Sequence, residues 1–516
     1  MTEKSVVSRR RFLQAGLGAA SGLALWELYK SKLGRTVDQG ASSLVNFKET
    51  GLDDSRLVRL LQMALEKRGE YADVFLEYSV GTYMIFDGDR LQTAGVDVTS
   101  GAGIRVMADG NSAFGATEDL TWEGLSTLAR NVAATARTGA GSKAFKPEHL
   151  NVPNLYNVTS PALEHSIDEK KAYVLRAVEA AQKEDSRIGV VRSYYNDSMR
   201  FITVATSDGV IAHDSQPSVK INMSAIATDP DTLRTGLGTF SAGGHYGLDY
   251  FKEHTPEQIG RRAAEMARHQ LEGVASPSGE LPVVLGPAYS GVLFHEAVGH
   301  GLEADFNLKG YSTYSNRLGE MVASPLLTIY DDGRRENLNG SINFDDEGVP
   351  SGRTLLVDRG RLVSYLHSRE TASRMGTHPT GNGRRQSFNF PPLPRMTNTY
   401  LQGGESAREE IIRSVDYGIY ACFFSGGSVN TTTGDFTFAP MESYLIEKGR
   451  ITAPLSNVLL LGNGPEVLKR VSMVGNDMQI SDNLWECGKF GQMIPVTVGT
   501  PTIKVDGINV GGIAGA

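Results

Sequence analysis

The sequence predicts an α+β protein, in which a mixed N-terminal α+β domain is followed by a mainly β C-terminal domain carrying a helix with paired histidines. Segments of helical and strand period alternate up to about residue 272, and strand patterns dominate beyond it. The 58 glycines among 516 residues follow no fixed period and mark tight turns between short strands. Hydrophobic residues make up 40% and charged residues 21%, a globular balance that excludes a disordered tail protein, a collagen-like chain and a multi-span membrane protein. A net charge of −8 without a basic and aromatic stripe argues against nucleic acid as a partner. Cys422 and Cys487 are too few for a disulfide framework and allow at most one bridge in an exported protein.

Three stretches follow one another: 1–40, 41–279 and 280–516. In the first, Ser8-Arg9-Arg10-Arg11-Phe12-Leu13-Gln14 precedes an apolar run from Ala15 to Trp26. This pattern resembles a twin-arginine export signal, and the run is too short for a membrane span. Seven basic and three acidic residues lie in these 40 positions, a sign opposite to that of the whole chain. The competing reading is a plain basic arm. Gly22-Leu23-Ala24 matches a cleavage site only loosely, so an uncleaved signal acting as a membrane anchor stays open.

In the second stretch Leu57, Leu60, Leu61 and Ala64 recur at helical spacing within 53–67. Strands are expected over 73–78, 82–86, 103–107 and 112–115, and a second helix over 122–136. Ser166 and Glu169 stand in capping-box register for a third helix to about Lys183. Strands are then expected over 188–195, 201–206 and 218–228, before a helix opened by Thr255-Pro256-Glu257-Gln258 and running to about Glu272. The stretch Gly273 to Glu280, with Ser276-Pro277-Ser278-Gly279, is the expected boundary. Beyond it a strand over 281–285 leads into a helix over 287–302. Short strands follow, with helices expected only over 407–414 and 466–473.

The chemistry gathers in that 287–302 helix. His295-Glu296 is followed by His300, then by Glu303 and Asp305. Two imidazoles four residues apart on an α-helix reach one metal ion, whereas five residues leave them about 140° apart. For both to bind one ion the helix must carry a π-bulge or end between them, and Gly299 and Gly301 supply backbone freedom for that. Otherwise the two histidines are ordinary residues on opposite faces and Glu296 is a solvated acid. A catalytic site needs a third ligand. Cys487, in Glu486-Cys487-Gly488-Lys489, is the candidate, as an accessible thiolate on a glycine-rich stretch; a buried inert cysteine is the competing reading. Cys422, between Ala421 and Phe423, reads as core.

The run Val292 to Glu303 resembles the metal-binding helix of the TldD/PmbA metallopeptidase family, also called modulators of DNA gyrase, on its TldD side. Three further blocks match in family order: Gly381-Asn382-Gly383-Arg384-Arg385, then Pro394-Arg395-Met396-Thr397-Asn398-Thr399-Tyr400, and Cys487-Gly488-Lys489 through Gly491-Gln492 to Pro501-Thr502. The resemblance covers about 280–512. It implies a metallopeptidase in which His295, His300 and Cys487 hold the metal and Glu296 is the catalytic carboxylate. It also implies an active subunit paired with an inactive PmbA/TldE-type partner, or a homo-oligomer, that cuts short or unfolded peptides. The export-like N-terminus departs from a mostly cytosolic family.

The expected chemistry is peptide hydrolysis with one divalent ion, zinc for preference and iron as the alternative. The ion polarises the scissile carbonyl and acidifies its water, and Glu296 acts as general base. Arg384, Arg385 and Arg395 are candidates for holding a peptide carboxylate or the oxyanion, against the commoner role of structural ion pairs. Two alternatives stand beside this reading: a non-catalytic binding or assembly subunit, and a metal-dependent redox enzyme, since two His and a Cys also suit iron. No nucleophile elbow or phosphate-binding loop occurs in the sequence.

Overall fold

The computed structural model describes residues 52–512 apart from 68, 137–144 and 157; the export segment expected over 1–40 lies outside the described residues. The first half comprises α1 (Asp54–Leu65), β1 (Tyr71–Asp87), β2 (Arg90–Ala108), β3 (Asn111–Thr117), α2 (Trp122–Thr135), α3 (Ile167–Glu184), β4 (Ile188–Thr206), β5 (Val210–Thr228), β6 (Thr235–Gly244) and α4 (Pro256–Glu272). The strands lie in the antiparallel order β3-β2-β1-β4-β5-β6, and a short strand at Glu148–His149 adds parallel to the start of β5. Leu57, Leu60, Leu61 and Ala64 form the buried face of α1, as their spacing requires. The helices α3 and α4 open with the capping boxes expected of them, Ser166 with Glu169 and Thr255 with Gln258.

Two pairs of short strands expected from the sequence are single long ones. β1 and β4 pair without interruption from Asp73↔Thr206 to Asp87↔Arg192, so the ladder carries both chains through the turn-prone Ser79-Val80-Gly81 and Asn196-Asp197-Ser198. The buried Asp197 carboxylate there is satisfied by the Thr82 and Tyr195 hydroxyls and the Lys170 ammonium. β6 was not expected, because its glycines lower strand propensity. Tertiary packing supplies the reason for them. A Cβ at Gly236 or Gly238 would lie 2.1 Å from the Ala267 or Ala263 carbonyl oxygen of α4, so glycine lets the helix close on the strand.

The second half is mainly β. Its principal strands are β7 (Gly279–Leu285), β8 (Ile329–Asp332), β9 (Arg353–Asp358), β10 (Asn398–Leu401), β11 (Tyr417–Val429), β12 (Asp435–Glu447), β13 (Val458–Asn463), β14 (Trp485–Lys489), β15 (Gln492–Thr500) and β16 (Ile503–Gly512). The order β11-β7-β16-β13-β12 closes into a barrel because β12 also pairs with β11. A second sheet runs β9-β8-β10-β15, with β14 hairpinned onto β15. The helix expected over 466–473 ends at Lys469, and Val471–Val474 pairs with β16 instead. Short helices at Ala304–Leu308 and Arg369–Met375 were not expected. One apolar cluster runs from Val174 of α3 and Met266 of α4 into Val283, Phe423 and Val505 of the barrel, so the two halves share a core. No helix among the described residues is long and apolar enough to cross a membrane.

Candidate metal centre

The helix expected over 287–302 is built from four short pieces: a 3-10 turn at Ala288–Gly291, an α turn at Val292–Phe294, a π turn at His295–Gly299 and a 3-10 turn at His300–Leu302. The His300 amide donates to the His295 carbonyl, an i→i+5 bond that closes one turn across five residues. The 140° mismatch of an α-helix is thereby relieved by the first of the two devices the spacing demanded. A Cβ at Gly299 would lie 1.9 Å from Met396 Sδ, so glycine is needed there for close approach as well as for the turn. Side chains satisfy the carbonyls that the irregular helix leaves over. Tyr314 donates its hydroxyl to Ala297 at 2.6 Å, while Ser312 and Asn307 donate to Gly301 at 2.5 and 2.8 Å.

Cys487 arrives from β14, whose turn to β15 at Phe490-Gly491 has both residues at positive φ. The thiol is only 2% exposed, which corrects the expectation of an accessible cysteine: strand alternation points it inward, opposite Ile494. One ligand atom each from His295, His300 and Cys487 lies within 4.8 Å of the others. Cys487 Sγ is 3.1 Å from His300 Nε2, and the two imidazole rings stand perpendicular with centroids 5.0 Å apart. Both His295 nitrogens are buried and lack a hydrogen-bond partner among the described residues, an arrangement that is costly unless a ligand completes it. Two imidazole nitrogens and a sulfur form a donor set that suits zinc or another borderline-soft ion at bonds of about 2.0–2.3 Å. The residues therefore fit a metal ion.

Around these three lies a layer that the sequence reading did not assign. Glu303 Oε2 accepts from His300 Nδ1 at 3.0 Å, which turns Nε2 toward Cys487 Sγ. The Glu303 carboxylate is buried, with Lys489 at 3.1 Å and Arg395 at 3.5 Å. Burial alone would raise it, but Lys489 and His300 outweigh that and hold it at about 2. Burial likewise pushes His300 down, and the Cys487 sulfur and Glu303 overcome it and raise it. His295 is lowered by burial, then by His300 and Arg395. Glu296 is buried beside them, with Oε2 3.9 Å from His300 Nε2. Burial raises its carboxyl to about 7, against a smaller opposing pull from His300; a bound cation pulls the same group down. Trp485 closes the site, its ring 4.6 Å from that of His295.

All three arginines make contacts within the chain. Arg395 is buried and donates to the Cys487 carbonyl at 2.6 Å while pairing with Glu303. Arg385 is buried against Asp73 and donates to the Asp346 carbonyl. Arg384 donates to the Met396 and Pro495 carbonyls at 2.6 and 2.9 Å. Arg385 and Arg395 thus make the buried ion pairs of the competing structural reading, and Arg384 is held by backbone carbonyls. Cys422 also departs from expectation, being only partly buried, and both cysteines are free.

Glu303→Gln is expected to weaken metal affinity about 10- to 100-fold with the fold retained, because the amide still accepts from Nδ1 but no longer balances Lys489 and Arg395. Competition with a chelator measures this, and unchanged affinity would remove the orienting role.

Models of the PmbA/TldA metallopeptidase domain 1, central domain and C-terminal domain match residues 72–136, 160–271 and 278–512. A metalloprotease TldD homolog of Haemophilus influenzae is 37% identical over 90% of this chain and 97% of its own. A metalloprotease of Methanothermobacter thermautotrophicus is 32% identical over 89% of this chain and 99% of its own. A crystal structure of TldE from Thermococcus kodakarensis shares the fold, with a TM-score of 0.71 at 20% identity over 89% of this chain and 100% of that one. With the family models spanning most of its length and relatives of this identity along nearly the whole of it, the chain belongs to the PmbA/TldD metallopeptidase family.

Proposed function

We propose that the chain is a metal-dependent peptidase acting on short or unfolded peptides, with His295, His300 and Cys487 as ligands of one ion, zinc for preference, and Glu296 as general base. The observation that carries this reading is the cluster of three ligand atoms within 4.8 Å of one another, two brought together by the π turn and the third carried in by β14, with Glu296 beside them. When bound, the ion polarises the scissile carbonyl and acidifies the attacking water. Glu296 takes the proton from that water on a carboxylate oxygen and passes it to the leaving amine. Glu303 keeps the His300 proton on Nδ1, and Lys489 with Arg395 keeps Glu303 ionised. A sulfur ligand adds negative charge at the ion and favours a modest rate over a digestive one. The test is peptide cleavage by the metal-loaded chain, abolished by chelation and restored by added zinc.

The family resemblance supports a PmbA/TldE-type partner subunit or a homo-oligomer around this site. The Ser8-to-Gln14 pattern supports export by the twin-arginine route. Residues 1–40 fused to a folded reporter are expected to carry it across the membrane, and Arg9→Lys with Arg10→Lys to block that. Continued export of the double-lysine fusion in a fractionation assay would sink the assignment.

A further inference from the structure

A cavity of about 660 Å³ opens between α4, the turn that precedes the histidine-bearing helix, and β11. Tyr289 is part of its wall and is separated from the metal centre by one ring. The Tyr289 ring lies 6.4 Å from that of Trp485, which in turn packs on His295. Burial raises the Tyr289 phenol to about 12, a hydrogen bond with Asn483 works against this, and the nearby Glu296 carboxylate adds to it. Ala288, next along the wall, is held at a φ of 64°, backbone that a non-glycine residue adopts at a cost and that gathers at binding sites.

Two guanidinium groups reach this wall, and they differ in what they have left to give. Arg262 is spent on Glu442, with Glu265 at 3.7 Å. Arg408 donates to the Tyr420 hydroxyl at 2.8 Å and lies 5.2 Å from the centre of that ring, and no carboxylate pairs with it among the described residues. Its fork is thus fixed in place with most of its five N–H donors unspent. Asp482 and Glu253 are the carboxylates of the lining, and Glu442, held by Arg262, and Asp477 stand near the same Tyr420 that Arg408 grips. Arg408 is thus the guanidinium of this wall that keeps donors for a ligand.

We propose that this cavity binds a peptide carboxylate through Arg408 and presents the adjoining chain to the metal centre past Tyr289. The catalytic consequence rests on the peptidase reading above; the binding itself rests on the cavity alone. A guanidinium fork meeting a carboxylate makes paired charge-assisted hydrogen bonds, the strongest recognition available to this wall. The carboxylate has two sources, a C-terminus or an acidic side chain, and three peptides of otherwise identical sequence separate them: a free acid, a C-terminal amide, and the amide with one Gln replaced by Glu.

Binding to the full-length, metal-loaded chain is read by fluorescence anisotropy, and kcat and KM by chromatography of the products. The free acid or the Glu-bearing amide is expected to bind about 10- to 100-fold more tightly than the plain amide, with the same gap in KM. Arg408→Ala is expected to erase that gap through KM rather than kcat, and Arg408→Lys to keep part of it, since lysine retains the charge without the fork. Preference for the free acid identifies the C-terminus as the source, and preference for the Glu peptide identifies a side chain. Equal binding of all three peptides to the wild type would overturn the proposal. So would an Arg408→Ala chain, with unchanged circular dichroism and metal content, that keeps the gap. If the wild type cleaves none of them, the peptidase reading fails while the anisotropy still decides the cavity.

Discussion

Glu296→Gln is expected to hold near-normal metal, to bind an unfolded peptide, and to cleave it at least about a hundredfold more slowly than the wild type. The substitution keeps size and shape inside a buried site where a smaller side chain would leave space, so the ligands around it have no cause to move. What it removes is the oxygen that takes the proton of the attacking water. Loss of a general base costs about 10² to 10⁴ in rate and leaves ground-state binding largely untouched. Metal content by mass spectrometry, peptide binding by anisotropy and cleavage by chromatography give the three readings. Cleavage at the wild-type rate, with contaminating proteases excluded, would end the proposed mechanism. A wild type that binds peptide and never cuts it would establish a binding subunit instead.

Cys487→Ala and His300→Ala are each expected to lose most of the bound metal, whereas Cys422→Ala keeps it. Three protein ligands and a water are the norm for a catalytic ion, and two protein ligands leave it free to exchange. The two cysteine variants form the sharper comparison, because each removes one thiol. Cys487 Sγ is 3.1 Å from His300 Nε2, while Cys422 makes a 3.7 Å contact with the Glu442 carbonyl and lies outside the His295, His300 and Cys487 group. Metal retained by Cys487→Ala and lost from Cys422→Ala, measured on dialysed protein, would overturn the ligand assignment.

The parts of this structure that could be read in advance are those encoded by residues close together in the chain. The capping boxes at Ser166 and Thr255 specify helix starts within three residues, and the five-residue histidine spacing with Gly299 specifies a departure from α geometry. The parts that could not be read come from distant segments. Glu303, Arg395 and Lys489 meet around His300 from three separate stretches, and nothing in their spacing tells that they pair with one another. The unbroken pairing of β1 with β4 overrode local turn preference, and the glycines of β6 only make sense beside α4. Inward-facing alternation in β14 likewise buried a cysteine whose glycine neighbour suggested exposure.

The π turn at His295–Gly299 bears the geometric mark of an inserted residue. Five residues here close the turn that about four close in an α-helix, so loss of a single codon would restore the shorter histidine spacing with both imidazoles still on one face. The two spacings are one insertion apart, and a lineage can cross between them without an ancestor that lacked its ligands. The longer form is braced by the Tyr314 bond to the Ala297 carbonyl inside the turn, while Ser312 and Asn307 hold the Gly301 carbonyl at the helix end.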